Sequence, residues 1–317
     1  MTALLGVWFL PERASDLAVE VDALFYGLLI LCGLITAGVC GAVTIFCIRY
    51  RQGSTAIRQA EQKPMVFEIV WSAIPLVIFI VIFIFAGAVY FHMSKPPDNA
   101  VEIHVVGKQW MWKVQHPTGR REINELHLLV NQPVKLLMTS QDVIHDVFVP
   151  AFRTKQDVLP GRYTVEWFTP TKPGHYHLFC AEYCGTDHSR MGGWVHVLDP
   201  DAYAKWLGDS STDESVVAAG ARLFQARGCA GCHAPNATVH APPLNGIYRH
   251  PVALATGQTV IADEQYIHDS ILQPRKDIVA GYPDNIMPTY QGQLGEEEVM
   301  QLIAYIKALG STSGGVP

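Results

Sequence analysis

The sequence predicts three consecutive folding units: a membrane-spanning two-helix hairpin, an all-β sandwich and a small α-rich domain. Two long runs near the N-terminus carry no charge, short β-branched segments fill the middle of the chain, and helical patterning occupies the last third. We place the three units at 1–94, 95–207 and 216–310, with a linker at 208–215 and a tail at 311–317.

Composition excludes several classes of protein. The 317 residues are 49% hydrophobic and only 16% charged, whereas soluble proteins average about 25% charged. This composition excludes a disordered chain. The net charge of −6 argues against nucleic acid as a partner, because binding to phosphates requires a basic surface. Seven cysteines are too few for a disulfide scaffold in a chain of this length.

The hairpin is predicted from two uncharged runs, 23–48 and 69–91, of 26 and 23 residues. Each exceeds the roughly 20 residues that cross a bilayer as a helix, and a buried core helix or a signal peptide fits this length less well. The short connection between the runs is basic, whereas Arg13 is the one positively charged side chain in the first 22 residues. Its positive residues are Arg49, Arg51, Arg58 and Lys63. The positive-inside rule therefore predicts that the chain crosses the membrane twice, with the connection on the cytoplasmic side and both termini and both later domains outside.

The sandwich is predicted from short strands separated by turn residues. The strand segments are 101–106, 110–114, 127–130, 134–140, 143–149, 162–168, 175–180 and 194–198. The polar tract that follows is typical of a linker. Helical patterning then appears at 216–227, 263–272 and 296–309. From residue 209 onward the chain has 11 acidic and 6 basic residues, so this part carries most of the excess acidity.

One cluster of soft ligands predicts a metal site. The candidate side chains are His145, Cys180, Cys184, His188 and Met191. Thiolates, imidazoles and a thioether select copper over magnesium or calcium. Two cysteines four apart on a turn are placed to bridge a pair of ions, with one imidazole at each end and Met191 and the carbonyl of Glu182 as weak outer ligands. A disulfide between the two cysteines, or a zinc site, stays open as an alternative.

A second cluster predicts covalent heme. Cys229, Cys232 and His233 form a C-x-x-C-H motif, in which two thiols attach the porphyrin and the imidazole binds iron. A redox dithiol fits less well, because a helical segment precedes the motif. Met287 follows 54 residues after His233 in a proline-rich segment, and it is the candidate second axial ligand.

The hairpin and the copper pattern together resemble subunit II of the heme-copper cytochrome c oxidases, over roughly residues 20–205. Residues 213–310 resemble class I cytochrome c, with Pro242 and Pro243 where that family has a proline loop. The resemblance implies a cupredoxin-like sandwich that holds the binuclear copper centre CuA, followed by a small all-α cytochrome c domain with one covalent heme c. This combination is that of the caa3-type oxidases, and it implies a multi-pass protein of the bacterial cytoplasmic membrane with the copper and heme domains on the periplasmic face.

The resemblance also implies a function. Electrons would pass from an external donor, such as cytochrome c or an upstream respiratory complex, through heme c to CuA and on to the oxygen-reducing subunit I. Partners would be subunit I, the other oxidase subunits and membrane lipid, and no catalytic residue is expected on this chain. Two alternatives stay open: the same module serving a nitric oxide reductase, or a membrane-tethered electron carrier without a catalytic partner.

Two further residues have roles implied only by the resemblance. Trp110 would receive electrons beside the copper, and strand alternation is expected to place its indole on the same face as that of Trp112. The family usually has an aromatic residue where Met111 stands, and ordinary strand packing is the alternative. Glu68 would lie at the cytoplasmic mouth of the second helix, where a proton path into subunit I begins; a solvated carboxylate is the alternative.

Five other residues are interpreted structurally. His175 and His177 share a strand face near Cys180, and strand packing is favoured over a role in shaping the copper site by hydrogen bonds. The cysteines of the first membrane run are interpreted as small packing residues. They are Cys32, Cys40 and Cys47.

Overall fold

A computed structural model describes residues 10–57, 65–208, 214–234, 237, 239, 241–283 and 286–311. Most of the predicted linker at 208–215 and of the tail at 311–317 lies outside the described residues. The same is true of Arg58 and Lys63 in the connection between the membrane runs.

Two long helices form the predicted hairpin: α1 (Leu17–Arg49) and α2 (Met65–Met93). Both extend beyond the uncharged runs, and within the described residues these two are long and apolar enough to cross a membrane. Their apolar side chains are mostly exposed rather than covered by protein. An apolar surface of this extent requires a lipid or protein neighbour.

Ten strands form the sandwich. They are β1 (Val101–Lys108), β2 (Met111–Gln115), β3 (Arg121–Ile123), β4 (Glu125–Leu129), β5 (Val134–Ser140), β6 (His145–Val149), β7 (Thr154–Val158), β8 (Thr164–Phe168), β9 (Gly174–Cys180) and β10 (Gly192–Leu198). One sheet has the order β3-β2-β1-β5-β8 and the other β4-β10-β9-β6-β7. Sequence patterning missed β3 and β7, because both are short or polar and lie at sheet edges, where burial does not impose alternation.

The sandwich core lies between the two sheets. Its largest buried side chains include Trp112, Phe152 and Phe168. Cys180, Cys184 and Met191 belong to the same core cluster, so three of the predicted copper ligands are held by close packing. Such packing limits the movement of side chains.

The last third is the predicted α-rich domain. Helix α3 (Pro200–Gly208) precedes this domain and was not predicted. The described elements of the domain are α4 (Val216–Ala226), α5 (Ala230–His233), β11 (Pro251–Ala253), β12 (Thr259–Ile261), α6 (Glu264–Leu272) and α7 (Glu296–Ser311). Helices α4 and α7 cross at Gly220, where a Cβ atom would lie 2.0 Å from the carbonyl oxygen of Gln301. Only glycine permits this approach.

Side chains of α6 and α7 pack against the outer face of the first sheet. Met300 is buried with Val106 and Leu137 of the sandwich. Lys307 Nζ lies 2.7 Å from both carboxylate oxygens of Glu102. The cytochrome-like domain is therefore docked on the sandwich in this structure through apolar and charged contacts.

The hairpin also contacts the sandwich. Ser15 Oγ donates to the carbonyl of Phe152 at 2.8 Å, and Trp167 Nε1 donates to the carbonyl of His92 at 3.1 Å. The buried carboxylate of Asp22 pairs with Arg153, with Nε 2.8 Å from Oδ1. The start of α1 and the end of α2 therefore lie on the same side as the sandwich.

Candidate functional site

Two free thiols form the centre of the predicted metal site. Cys180 ends β9, Cys184 lies in the turn after it, and both are buried. Their sulfur atoms are 3.7 Å apart, whereas a disulfide requires about 2.05 Å. The two thiols are thus unbonded to each other in this structure and both are available as ligands.

One imidazole approaches each sulfur. His145, at the start of β6, places Nδ1 3.9 Å from Sγ of Cys180. His188, in a short 3-10 turn, places Nδ1 3.5 Å from Sγ of Cys184. Asp142 lies 2.9 Å from Nε2 of His145, and a carboxylate on the far nitrogen orients an imidazole toward a metal. Sequence analysis missed Asp142, although an acid three residues before the histidine was a usable signal.

Two weaker donors complete the cluster. The carbonyl oxygen of Glu182 is 3.3 Å from Sγ of Cys180, and Sδ of Met191 is 3.7 Å from Sγ of Cys184. The structure therefore brings together all six residues predicted from the sequence. The donor set is soft and partly buried, and it fits copper better than a hard cation.

The two thiols titrate very differently. Burial by itself would raise the pKa of Cys180, but hydrogen bonds from His145 and from the backbone hold the pKa of this thiol below its usual value. Burial and the neighbouring Cys180 raise the pKa of Cys184. Near neutral pH the pair therefore retains one proton, which a bound cation would displace.

Two indoles flank the cluster. Trp110 Nε1 donates to the carbonyl of Cys184 at 3.3 Å, and the buried Trp112 ring lies 5.8 Å from that of His145. Both indoles lie against the same core cluster, as expected, but β2 begins at Met111, so the turn before the strand, and not strand alternation, places Trp110 there.

The second predicted cluster lines one cleft in the cytochrome-like domain. Cys229, Cys232, His233 and Met287 all border it, and most of the other lining residues are apolar. The empty space of the cleft, including its solvent-open mouth, is about 1370 Å³. The Nδ1 atom of His233 lies 2.9 Å from the carbonyl of Pro242. Donation to that carbonyl leaves the Nε2 lone pair free for iron. These residues fit a covalently attached heme.

Family comparisons match three successive segments. Residues 3–89 match the transmembrane domain of cytochrome c oxidase subunit II, 121–197 match its periplasmic domain, and 217–310 match cytochrome c. The two subunit II matches together span more than half of the chain. The chain belongs to the cytochrome c oxidase subunit II family. It carries a fused cytochrome c domain, and these domains imply copper and heme c.

Relatives agree with this assignment. The chain is 28% identical over 297 residues to cytochrome c oxidase subunit 2 of Alkalihalophilus pseudofirmus, covering 89% of this chain and 84% of that one. It is 28% identical over 203 residues to alternative cytochrome c oxidase subunit 2 of Bradyrhizobium diazoefficiens, covering 54% of this chain and 72% of that one. This subunit II is therefore a component of an oxidase, anchored in the membrane with its soluble part outside.

One solved structure is the periplasmic domain of subunit II of cytochrome oxidase of Bradyrhizobium japonicum. It is 30% identical to this chain. The alignment covers 37% of this chain and 97% of the solved domain, with a TM-score of 0.35. A second is a heme-copper terminal oxidase dimer, 22% identical, which covers 43% of this chain and 100% of its own length, also with a TM-score of 0.35.

Other residues of this subunit II lie apart from the two clusters. Glu68 is exposed in the first turn of α2. His175 and His177 lie on the outer face of β9, whereas Cys180 faces the core. The His177 ring packs 4.0 Å from that of Trp194, so strand packing describes this histidine better than a role in shaping the copper site.

The membrane cysteines differ from expectation. All three are exposed on α1, so they do not act as packing residues within this chain. They are Cys32, Cys40 and Cys47. The reason is that a hairpin of two helices covers little of its own surface.

Proposed function

We propose that the chain is the electron-input subunit of a caa3-type cytochrome c oxidase. The observation that carries the proposal is the presence, on one chain, of a buried copper-type donor set and a heme cleft with both axial candidates. When bound, CuA and heme c would carry single electrons from an external donor, such as cytochrome c or an upstream respiratory complex, toward oxygen-reducing subunit I.

The donor arrangement supports two copper ions rather than one. The sulfurs of Cys180 and Cys184 lie side by side, and each has its own imidazole and its own weak donor. His145 and the Glu182 carbonyl accompany one sulfur, while His188 and Met191 accompany the other. The two thiolates, the two imidazoles and the two weak donors would together hold two copper ions.

The surroundings of the copper residues suit electron transfer. Cys180, Cys184 and Met191 are packed into the sandwich core, and Asp142 holds the ring of His145. A rigid, closed set of ligands changes little on reduction and leaves no position for a substrate. Trp110 is half-buried, with its indole hydrogen-bonded to the carbonyl of Cys184, so it offers a direct path from the surface.

The orientation in the membrane follows from the hairpin. The start of α1 and the end of α2 contact the sandwich, through Ser15 and His92. The opposite end of the hairpin carries the exposed Arg49 and Arg51, as expected for the cytoplasmic side. Glu68 lies at that end, and we place the mouth of a proton path there. Both copper and heme residues would then be periplasmic.

The test uses the full-length chain co-expressed with its oxidase partners. In the His188→Ala variant, a small-molecule reductant should still reduce heme c, while transfer to subunit I and oxygen consumption are lost. His177→Ala is the matched control, because this histidine is near in sequence but faces away from the copper residues. Normal turnover of His188→Ala would contradict the proposed order of transfer, and a chain that purifies alone in mild detergent would contradict the oxidase assignment.

A further inference from the structure

A row of three histidines crosses the outer face of the second sheet. The strands β4, β10 and β9 are adjacent, and their register pairs His127 with His196 and His196 with His175. Neighbouring strands lie about 4.8 Å apart. The row therefore places three imidazoles side by side, on the face opposite to the one that carries Cys180.

Glu125 lies beside this row, on the same outward face of β4 as His127. One ring nitrogen of His127, one of His196 and one carboxylate oxygen of Glu125 all lie within 4.8 Å of one another. Nε2 of His196 is 4.0 Å from Oε2 of Glu125. In tetrahedral coordination with bonds of about 2.0 to 2.2 Å, two ligand atoms lie about 3.3 to 3.6 Å apart, so the side chains of His196 and Glu125 close this gap by about 0.5 Å when both bind one ion.

The His196 ring has a free nitrogen at this position. Its Nδ1 lies 2.6 Å from Nδ1 of His175, and such a contact requires a shared proton. Its Nε2 is buried and, among the described residues, has no hydrogen-bond partner, although buried polar atoms are nearly always paired. Among the described residues, this buried nitrogen is therefore left available as a ligand.

The His127 ring is oriented by a second carboxylate. Its Nδ1 donates to Glu122, which also accepts from Nε2 of His116 at 2.9 Å. Burial opposes ionisation of Glu122, but these two hydrogen bonds lower the pKa of its carboxyl to about 2. A carboxylate on Nδ1 leaves the lone pair on Nε2, as in the carboxylate–histidine–metal arrangements of metalloproteins.

We propose that Glu125, His127 and His196 form a second metal site, for a borderline divalent cation of the zinc type. Two imidazoles and one carboxylate are a common zinc ligand set, with the fourth position open to water. Magnesium and calcium prefer oxygen ligands throughout, and the absence of sulfur from these three residues distinguishes the site from the copper cluster. The rings of His127 and His196 are stacked, with centroids 4.4 Å apart. A metal–nitrogen bond lies in the plane of the imidazole ring, so one of the two rings must rotate when both bind the same ion.

The experiment uses the full-length protein loaded with copper and heme, so that zinc absorption at the X-ray edge reports only added zinc. The protein is incubated with zinc sulfate, desalted and analysed for zinc, copper and iron. Wild type should retain one zinc per chain with its copper unchanged, and its edge spectrum should show imidazole ligands at about 2.0 to 2.1 Å. His127→Ala and His196→Ala should lose this zinc, while Glu122→Gln should bind it about 10- to 100-fold more weakly.

His177→Ala is the matched control, because His177 lies on the same face of β9 but outside the three ligands, and it should retain the zinc. An unchanged heme spectrum and copper content show that each variant is folded. Equal zinc retention in all variants would overturn the proposal. So would zinc uptake matched by loss of copper, or a wild-type spectrum without imidazole ligands.

Discussion

Lys307, near the end of the last helix, forms an ion pair with Glu102 in the first strand of the sandwich, with Nζ 2.7 Å from each carboxylate oxygen. Lys135 and Glu264 extend the pair to four charges: Lys135 Nζ lies 2.9 Å from Glu102 and 3.0 Å from Glu264. Two of these residues belong to the sandwich and two to the cytochrome domain. The two domains are thus joined by a largely buried charge cluster.

Charge reversal at this cluster should weaken domain docking. Lys307→Glu leaves Glu102 and Glu264 with one cation between them, and losing charge-assisted hydrogen bonds costs about 2 kcal/mol. We expect faster hydrogen exchange in β1 and α7. Arg222→Ala is the control, because Arg222 makes an exposed ion pair with Glu214 of the preceding linker, away from the charge cluster. Unchanged exchange in Lys307→Glu would show that the apolar contacts around Met300 are sufficient for docking.

Removing the carboxylate behind His145 should weaken copper binding. Asp142→Asn keeps the shape of the side chain but loses the charge that orients the ring, and such changes lower metal affinity about 10- to 100-fold. Copper retention during dialysis against a chelator measures the effect. Asp187→Asn is the control, since Asp187 is near His188 but pairs with the exposed Arg190 at 3.8 Å. Equal retention in both variants would contradict the role given to Asp142.

Two coppers and one covalent heme are expected per chain. Metal analysis of the purified full-length protein should find two copper atoms and one iron. The variant with Cys229→Ser and Cys232→Ser should lose heme staining on a denaturing gel, because no thioether can form. Cys32→Ser, in the exposed part of α1, should keep it. A single copper, or heme that survives in the double variant, would contradict this expectation.

Glu166 should make stability depend on pH. Neither of its carboxylate oxygens has a hydrogen-bond partner in the described part of the chain, and burial raises the pKa of this carboxyl from 4.5 to about 8. Between these two values the unfolded chain binds fewer protons than the folded one, so stability falls as pH rises from about 4.5 to 8.

The expected loss of folding free energy from this group is at most about 5 kcal/mol. Glu166→Gln should remove this pH dependence, so the substitution should raise the melting temperature at pH 8 more than at pH 5. Thermal unfolding followed by circular dichroism measures the difference. Glu214→Gln, an exposed position, serves as the control. An equal change in melting temperature at both pH values would indicate that Glu166 is ionised in the folded protein.

Local sequence pattern predicted an element correctly wherever residue spacing and residue polarity indicate the same kind of structure. The uncharged runs predicted α1 and α2, and the periodic segments predicted eight of the strands and three helices. Pattern failed at β3 and β7, whose polar edge positions have no alternating burial. It also missed the histidine row, because His127 and His196 lie far apart in the sequence and meet only through strand register.

The sequence by itself determined which cofactor sites the chain carries and that it enters a membrane. The soft donors at 145 and 180–191 indicate copper, the C-x-x-C-H motif at 229–233 indicates heme, and the two uncharged runs indicate membrane helices. The spacing of residues along the chain and their polarity are local properties, so they can be recognised before the tertiary structure is known. The tertiary structure alone decided which atoms meet: Asp142 behind His145, Glu102 against Lys307, and Glu125 beside the paired His127 and His196. These contacts depend on sheet order, register and domain docking, which arise from burial summed over the whole chain.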